Sequence, residues 1–302
     1  MNIYQTAKAK NMKDYFKSPS GRDQVIKLYE ERLKPFSGQY ESIYIPNSFG
    51  ETHVLKVGSS KLPALFLMHG SNANAAIALD TFPNLSKEFC LYIPDLPAQP
   101  NKSLGNRPNM KNDDFAIWAA ELADKLKVTS FYLAGFSLGG LVALKILEYR
   151  SDLVKECFLA SPAYIVNAFP LQPLIKLFIP LKRYIKKLES RPLEKVVQNL
   201  FSEPDDFAYR FLASVFQHFE LDFSPIPTIS FSAARRISTP LHIIAAENDF
   251  IFPATKMEKR AKMIFKNLRY FKIAPQSKHV IGRRLTAEFE SYIIKTVQAK
   301  SI

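Results

Sequence analysis

The chain has 302 residues, 47% of them hydrophobic and 23% charged, the balance of a globular protein with room for one large core and an insertion, or for two modest domains. Its formal net charge is +13, which would suit anionic substrates, membrane surfaces or nucleic acid. No internal repeat, low-complexity tract or recognisable nucleic-acid-binding motif accompanies that charge, which argues against a disordered chain, a repeat array or a dedicated nucleic-acid binder.

In chain order, residues 21–33 carry apolar side chains at Val25, Ile26, Leu28, Tyr29 and Leu33 and predict a helix. Residues 40–45 and 52–57 alternate around a Phe49-Gly50 turn, the pattern of an antiparallel hairpin. Two continuous apolar runs follow: residues 64–68, ending in His69-Gly70, and residues 89–93, ending in Pro94-Asp95-Leu96-Pro97. Residues 113–126 have helical periodicity, with Asp113 or Asn112 as N-cap. A buried strand at 130–135, a helix at 138–149 and strands at 157–160 and 241–246 come next. A helix at 255–265, a strand at 270–273 and a closing helix at 285–297 complete the chain.

Short apolar strands alternating with helices predict a mostly parallel sheet covered on both faces. The alternation breaks between about residues 164 and 235, a stretch rich in Phe, Leu, Lys and Pro, helical in pattern and without a convincing buried strand. It reads as an insertion between two strands of one sheet. The expected division is therefore a core of residues 1–163 and 236–302 with a helical lid at 164–235.

Gly135-Phe136-Ser137-Leu138-Gly139-Gly140 lies between the strand Phe131-Tyr132-Leu133-Ala134 and the helical run 141–147. The bare pentapeptide G-x-S-x-G is a weak signal, but between a buried strand and a helix it is a strong one. A turn this tight crowds the positions two residues either side of the serine, so both need glycine. The serine is held at a helix N-terminus, whose free N–H groups and field favour developing negative charge. Ser137 is thus the candidate nucleophile, and the N–H of Leu138 directly after it a candidate oxyanion donor.

With these residues, the chain resembles the α/β-hydrolase superfamily, in particular its lid-bearing carboxylesterase and C–C-bond hydrolase members. The matching pieces are His69-Gly70-Ser71, Asp95-Leu96-Pro97, the Ser137 turn, Glu247-Asn248-Asp249 and His279, in the family's order and spanning nearly all of the chain outside the insertion. The resemblance implies an α/β-hydrolase fold with an eight-stranded, mostly parallel sheet. It also implies a Ser-Asp-His triad of Ser137, Asp249 and His279, with the Ser71 N–H as second oxyanion donor. Phe136, Asn72, Phe250 and Val280, each the chain neighbour of one of these residues, are the candidate substrate contacts. Glu247 is the substitute acid.

A serine hydroxyl needs a general base, and histidine suits because its pKa lies near 7. Of the five histidines, His53 and His242 fall within strands and read as packing, His218 as a helix-surface residue of the insertion. His69 belongs to the His-Gly motif, where the resemblance implies loop organisation. Two departures from the family pattern stand out. Lys278 precedes His279 where glycine is more usual, and Ala98-Gln99-Pro100-Asn101-Lys102-Ser103 replaces a glycine-rich loop after Asp95, itself read as structural.

Phe169, Phe178, Phe201, Phe207, Phe211, Phe216, Phe219 and Phe223 lie in the insertion. They suggest its own core, with several facing an apolar acyl or aryl pocket. Basic residues concentrate at 172–195, including Lys182, Arg183, Lys186 and Lys187, and at 256–284. The first stretch suggests weak membrane-surface contact. Cys90 and Cys157 read as buried thiols, not a disulfide framework. Residues 1–20 lack the apolar stretch of a signal peptide, and a cytoplasmic location is the expectation. The expected function is a carboxylesterase-type acyl hydrolase for a small or medium apolar ester, needing neither metal nor organic cofactor. C–C hydrolysis or acyl transfer with the same triad is one alternative. A non-catalytic ligand-, membrane- or nucleic-acid-binding protein is another.

Overall fold

The computed structural model describes residues 12–300; the first eleven residues of the polar N-terminal stretch lie outside them. Helix α1 (Pro19–Leu33) is the first helix of the described residues, capped by the Ser18 hydroxyl accepting from the Gly21 N–H at 3.1 Å. The hairpin of β1 (Tyr40–Asn47) and β2 (Gly50–Val57) follows, with Asn47 opposite Gly50. Then come β3 (Ala64–Met68), α2 (Ala75–Thr81), the single turn α3 (Leu85–Glu88), β4 (Cys90–Pro94), β5 (Leu104–Gly105) and α4 (Asp114–Lys125). Strand β6 (Phe131–Phe136), helix α5 (Leu138–Arg150) and β7 (Val154–Ala160) lead into the insertion. The chain closes with β8 (Leu241–Ala246), α10 (Ala254–Ile264), β9 (Leu268–Ala274) and α11 (Arg283–Gln298).

Eight strands run in the order β1-β2-β4-β3-β6-β7-β8-β9. The two pairings at the β1 end are antiparallel, and the five from β4 to β9 are parallel. The expected eight strands gain a ninth, the two-residue β5, which pairs with β2 at Gly50 and Gly105. No apolar periodicity can announce an element that short.

The parallel strands are apolar throughout because both faces are covered. Alternate residues feed two cores. Phe66, Met68, Leu133, Leu159 and Ile243 pack with Trp118 of α4 and with Leu141, Leu144 and Leu147 of α5. Leu65, Leu67, Ala134, Phe158 and Ile244 pack with Tyr29, Leu79, Phe289 and Ile293 of α1, α2 and α11. Cys90 and Cys157 are buried free thiols, and burial pushes the Cys157 thiol well above its ordinary range. At α4 it is Asn112, through Oδ1, that accepts from the Asp114 N–H at 3.1 Å. Asp113 makes no side-chain cap.

Between β7 and β8 every named element is helical. A helical run of Leu171–Pro173 and a π turn Leu174–Phe178 continues into α6 (Ile179–Lys187), followed by α7 (Ser190–Leu200), α8 (Asp206–His218) and α9 (Phe231–Arg236). A third core unites Leu181, Tyr184, Val196, Phe211 and Phe216 with Val25 of α1. At its ends, Tyr164, Ile165 and Ile229 pack instead into the main core beside α5. His218 is pressed against α1, its Nε2 3.1 Å from Gln24 Oε1. Among the described residues no helix is long and apolar enough to cross a membrane.

Candidate active site

Because β3, β6, β8 and β9 are parallel, the loops after them emerge at one edge of the sheet, where ligands gather in open α/β folds. Those loops carry Ser71, Ser137, Asp249 and His279. Ser137 sits directly after β6 with φ 53° and ψ −112°, in the left-handed half of φ space that non-glycine residues seldom adopt. Its N–H donates to Ala160 O at 3.1 Å, and its carbonyl accepts from Gly140 and Ala163 at 2.9 and 3.0 Å. The turn is therefore held on both sides.

The glycines explain how it closes. A Cβ on Gly135 would lie 2.4 Å from the Gly139 carbonyl oxygen, and one on Gly139 would lie 2.1 Å from the Met68 carbonyl oxygen. The start of α5 is thus pressed against the end of β3, which brings the Ser137 turn beside His69-Gly70-Ser71. Gly139→Ala is expected to destabilise the fold by about 3 kcal/mol or more, since both groups in the clash are backbone of packed elements. Urea unfolding measures it, and a variant of wild-type stability would refute the packing argument.

Ser137 Oγ lies 2.9 Å from His279 Nε2, and His279 Nδ1 lies 2.7 Å from Asp249 Oδ2. All three are buried, Ser137 at 8% and His279 at 6% exposure. A carboxylate only accepts, so Nδ1–H donates to Asp249 and Nε2 is left to accept from the serine hydroxyl. Asp249 Oδ1 accepts from the Ile251 and Phe252 N–H groups at 2.8 and 3.0 Å, which fixes the carboxylate plane. The rings of Phe136 and Phe252 flank the imidazole at 5.2 and 5.5 Å. Glu247 is not part of this relay. Its carboxylate accepts from the Gln276 N–H at 2.7 Å and braces the turn before His279.

The Lys278 departure has a non-local answer. The Lys278 N–H donates to Ser202 Oγ at 2.8 Å, and that hydroxyl donates to Val280 O at 2.9 Å. Lys278 Nζ reaches Gln198 O at 2.6 Å, and the Val280 N–H reaches Leu200 O at 2.8 Å. The insertion therefore grips the His279 loop on both sides of the histidine.

The loop after β4 is rebuilt with side-chain amides. Gln99 Oε1 accepts from the Asn72 N–H at 2.8 Å, and Asn101 Nδ2 donates to Leu96 O at 2.8 Å. Asn72 is itself left-handed at φ 53°. His69 Nε2 accepts from the Leu96 N–H at 2.9 Å, so the ring proton is on Nδ1, which donates to Gly70 O at 2.8 Å. Burial holds this imidazole below its ordinary value of 6.5. The unfolded ring takes up a proton more readily than the buried one. The stability linked to His69 is therefore complete above pH 6.5 and lost as pH falls toward and through the lower folded value. At pH 6.5, where a free imidazole is half protonated, ring nitrogen spectra are expected to show His69 mainly as the neutral Nδ1–H form; a mainly protonated ring there would contradict the assignment.

A second Ser-His-Asp line occurs toward the β1 side of the sheet. His53 Nδ1 lies 2.8 Å from Asp95 Oδ2 and His53 Nε2 3.1 Å from Ser42 Oγ. Ser42 is mid-strand in β1, opposite Leu55, with no turn or helix N-terminus beside it. Asp95 also accepts from the Ala75 and Lys102 N–H groups at 2.8 and 3.3 Å, a structural brace for two loops. His242 packs between Phe158 and Tyr292, its Nδ1 2.7 Å from the tyrosine hydroxyl.

The sequence named Ser137, Asp249 and His279, and the fold brings these three within hydrogen-bond distance. Leu138 is the first residue of α5, where its N–H has no intrahelical acceptor. Ser71 is exposed, next to the Gln99-braced Asn72. Of the four suggested substrate contacts, Phe136 lies against His279, Val280 is tied to the insertion, and Phe250 is buried under Lys176, whose Nζ is 5.5 Å from its ring. The phenylalanine-rich insertion is not mainly a pocket wall. Phe207, Phe211, Phe216 and Phe219 fill its own core, Phe169 and Phe223 are exposed, and Phe201 alone bridges to Val280. Ser202, Gln99 and Phe252 are site residues that the sequence reading did not single out. Among the described residues no group of three or more His, Cys, Asp or Glu side chains is arranged to hold a metal ion.

This fold, with a serine on a strained strand-to-helix turn, is that of an α/β-hydrolase, and the chain is an α/β-hydrolase-fold protein. The family described as "alpha/beta hydrolase fold" matches residues 63–181. The chain is 30% identical over 135 residues to the uncharacterized carboxylesterase nap of Bacillus subtilis (strain 168), covering 45% of each chain. It is equally identical over 135 residues to carboxylesterase YbfK of the same organism, covering 45% of this chain and 46% of that one. The matched stretch thus spans just under half the length of these curated relatives. The solved structure of naproxen esterase (carboxylesterase NP) from Bacillus subtilis superposes with a TM-score of 0.80 at 20% identity, over 93% of this chain and 99% of that one.

Proposed function

We propose that the chain is a serine hydrolase that cleaves carboxylic esters of small or medium apolar acids. The observation that carries this is the relay Ser137–His279–Asp249, with contacts of 2.9 and 2.7 Å, on the strained turn after β6. The carboxylesterase relatives support the same reading. Ser137 Oγ attacks the ester carbonyl while His279 Nε2 takes its proton. The N–H groups of Ser71 and Leu138 hold the oxyanion; removing one such donor typically costs about 10²–10³ in rate. His279 returns the proton to the leaving alkoxide, leaving an acyl ester on Ser137. A water activated by the same imidazole then releases the acid and restores the serine.

In this reading the helices between β7 and β8 are a lid. Ser137 is 8% exposed, and the seam between Phe201–Ser202 and Lys278–Val280 borders its base.

The test is covalent labelling with a serine-directed phosphonate followed by peptide mass spectrometry. The adduct is expected on Ser137 and not on Ser42, although Ser42 also faces a His–Asp pair. No adduct, or an adduct elsewhere, would sink the proposal. Product analysis with a panel of p-nitrophenyl esters, with and without an acceptor alcohol, separates hydrolysis from acyl transfer.

A further inference from the structure

The two basic stretches differ in how their charge is used. In the second, carboxylates answer several cations: Lys262 pairs with Glu258 one turn away on its own helix, Lys272 and Arg284 with Glu288, and Arg283 with Asp205. In the first, residues 171–188 hold Lys176, Lys182, Arg183, Lys186 and Lys187 and no acidic residue. All five are exposed. Among the described residues only Lys187 has a carboxylate within ion-pair reach, Glu189 at 3.7 Å.

The same helical run has an apolar outer face. Pro180, Leu181 and Tyr184 turn into the insertion's core. Leu171, Leu174, Ile175, Ile179 and Ile185 follow one another at spacings of three, one, four and six residues and are 36–55% exposed. Those positions share one side of a helix. Phe169, just ahead of them, is 71% exposed, and the half-exposed Phe223 lies beside Phe178, tilted to it, at 6.0 Å between ring centres. Large apolar side chains grouped this closely are uncommon on a soluble monomer and mark a contact surface.

We infer that this face docks on a bilayer containing anionic phospholipid. The leucines and isoleucines would enter the headgroup boundary while the lysines and arginine meet lipid phosphates. Charge decides among the occupants. A two-fold contact with a second copy would set this patch against itself and oppose unpaired cations across a desolvating interface. Nucleic acid would answer the charge but leave the apolar stripe in water. The face also adjoins the triad: the Ala168 N–H donates to Ile251 O at 2.8 Å, and Lys176 lies over Phe250, the residue after Asp249. Docking would bring this edge of the site to the lipid–water boundary.

Vesicle co-sedimentation of the full chain tests the inference. Binding is expected to vesicles of phosphatidylcholine with a minority of phosphatidylglycerol, weakly to phosphatidylcholine alone, and less as salt rises. Each lysine near the surface is worth about fivefold in affinity, so Lys182→Gln with Lys186→Gln should weaken binding roughly 30-fold. Leu174→Ser with Ile175→Ser should also abolish most of it. All four residues are exposed, so circular dichroism and Tm should stay as in wild type. Ser137→Ala should bind as wild type does, which separates this surface from the hydrolase reading. Equal binding to both vesicle types, or undiminished binding by both double variants, would overturn the inference. So would a dimer dissolved by Ile175→Ser, or salt-sensitive duplex DNA binding, in a protein that ignores vesicles.

Discussion

Ser137→Ala is expected to lower kcat for ester hydrolysis by about 10⁶-fold, the loss seen when the serine of a comparable triad is removed. The size follows from what remains. Alanine keeps the Cβ and hence the turn, which is set by Gly135, Gly139 and the backbone contacts of Ser137 to Ala160 and Ala163. The groups proposed to hold the oxyanion also persist, so a residual acceleration of about 10³ over water should survive. His279 loses its partner at Nε2 but keeps Asp249 at Nδ1. Tm should therefore change little, which separates a chemical defect from a folding one. Active-site-normalised kinetics on a p-nitrophenyl ester with a parallel thermal melt gives the answer. A loss smaller than tenfold in a folded variant would remove Ser137 from the chemistry.

Legibility in the sequence tracked how local each constraint was. The Ser137 turn could be read because its glycines are required by contacts within five residues and by one neighbouring strand end, that of Met68. The parallel sheet could be read because strands covered on both faces must be apolar throughout. Where chain-distant groups do the work, the sequence showed only a departure. Lys278 looked like a missing glycine. Its loop is instead fastened by Ser202 and Gln198, 76 and 80 residues earlier. The segment after Asp95 looked like a lost glycine-rich loop. Gln99 and Asn101 supply through their amides the hydrogen bonds that hold it. The phenylalanines of the insertion carried no directional signal, because a core of its own and a wall facing the serine demand the same composition. The outer face of residues 171–188 was legible as basic but not as apolar. The π turn at Leu174–Phe178 and the buried Pro180 had to be placed before its sides could be told apart.

Asp249→Asn is expected to cost about 10⁴-fold in kcat while leaving the fold intact. The substitution is nearly isosteric, and the surroundings dictate how the amide sits. Oδ1 accepts two backbone N–H bonds, from Ile251 and Phe252, so the asparagine oxygen must occupy that position. The amide NH2 then takes the place of Oδ2, 2.7 Å from His279 Nδ1. Two donors cannot face each other. The imidazole must give up the Nδ1 proton and carry it on Nε2, which turns an N–H toward Ser137 Oγ. In that tautomer the ring has no lone pair for the serine proton. Phosphonate labelling of Ser137 should slow in step with kcat, and the ring nitrogen spectrum should report the Nε2–H form. If Asp249 served only to cap the turn at Ile251 and Phe252, asparagine would preserve both bonds and the rate would hardly move. The tautomer and the rate together therefore distinguish an orienting acid from a structural one.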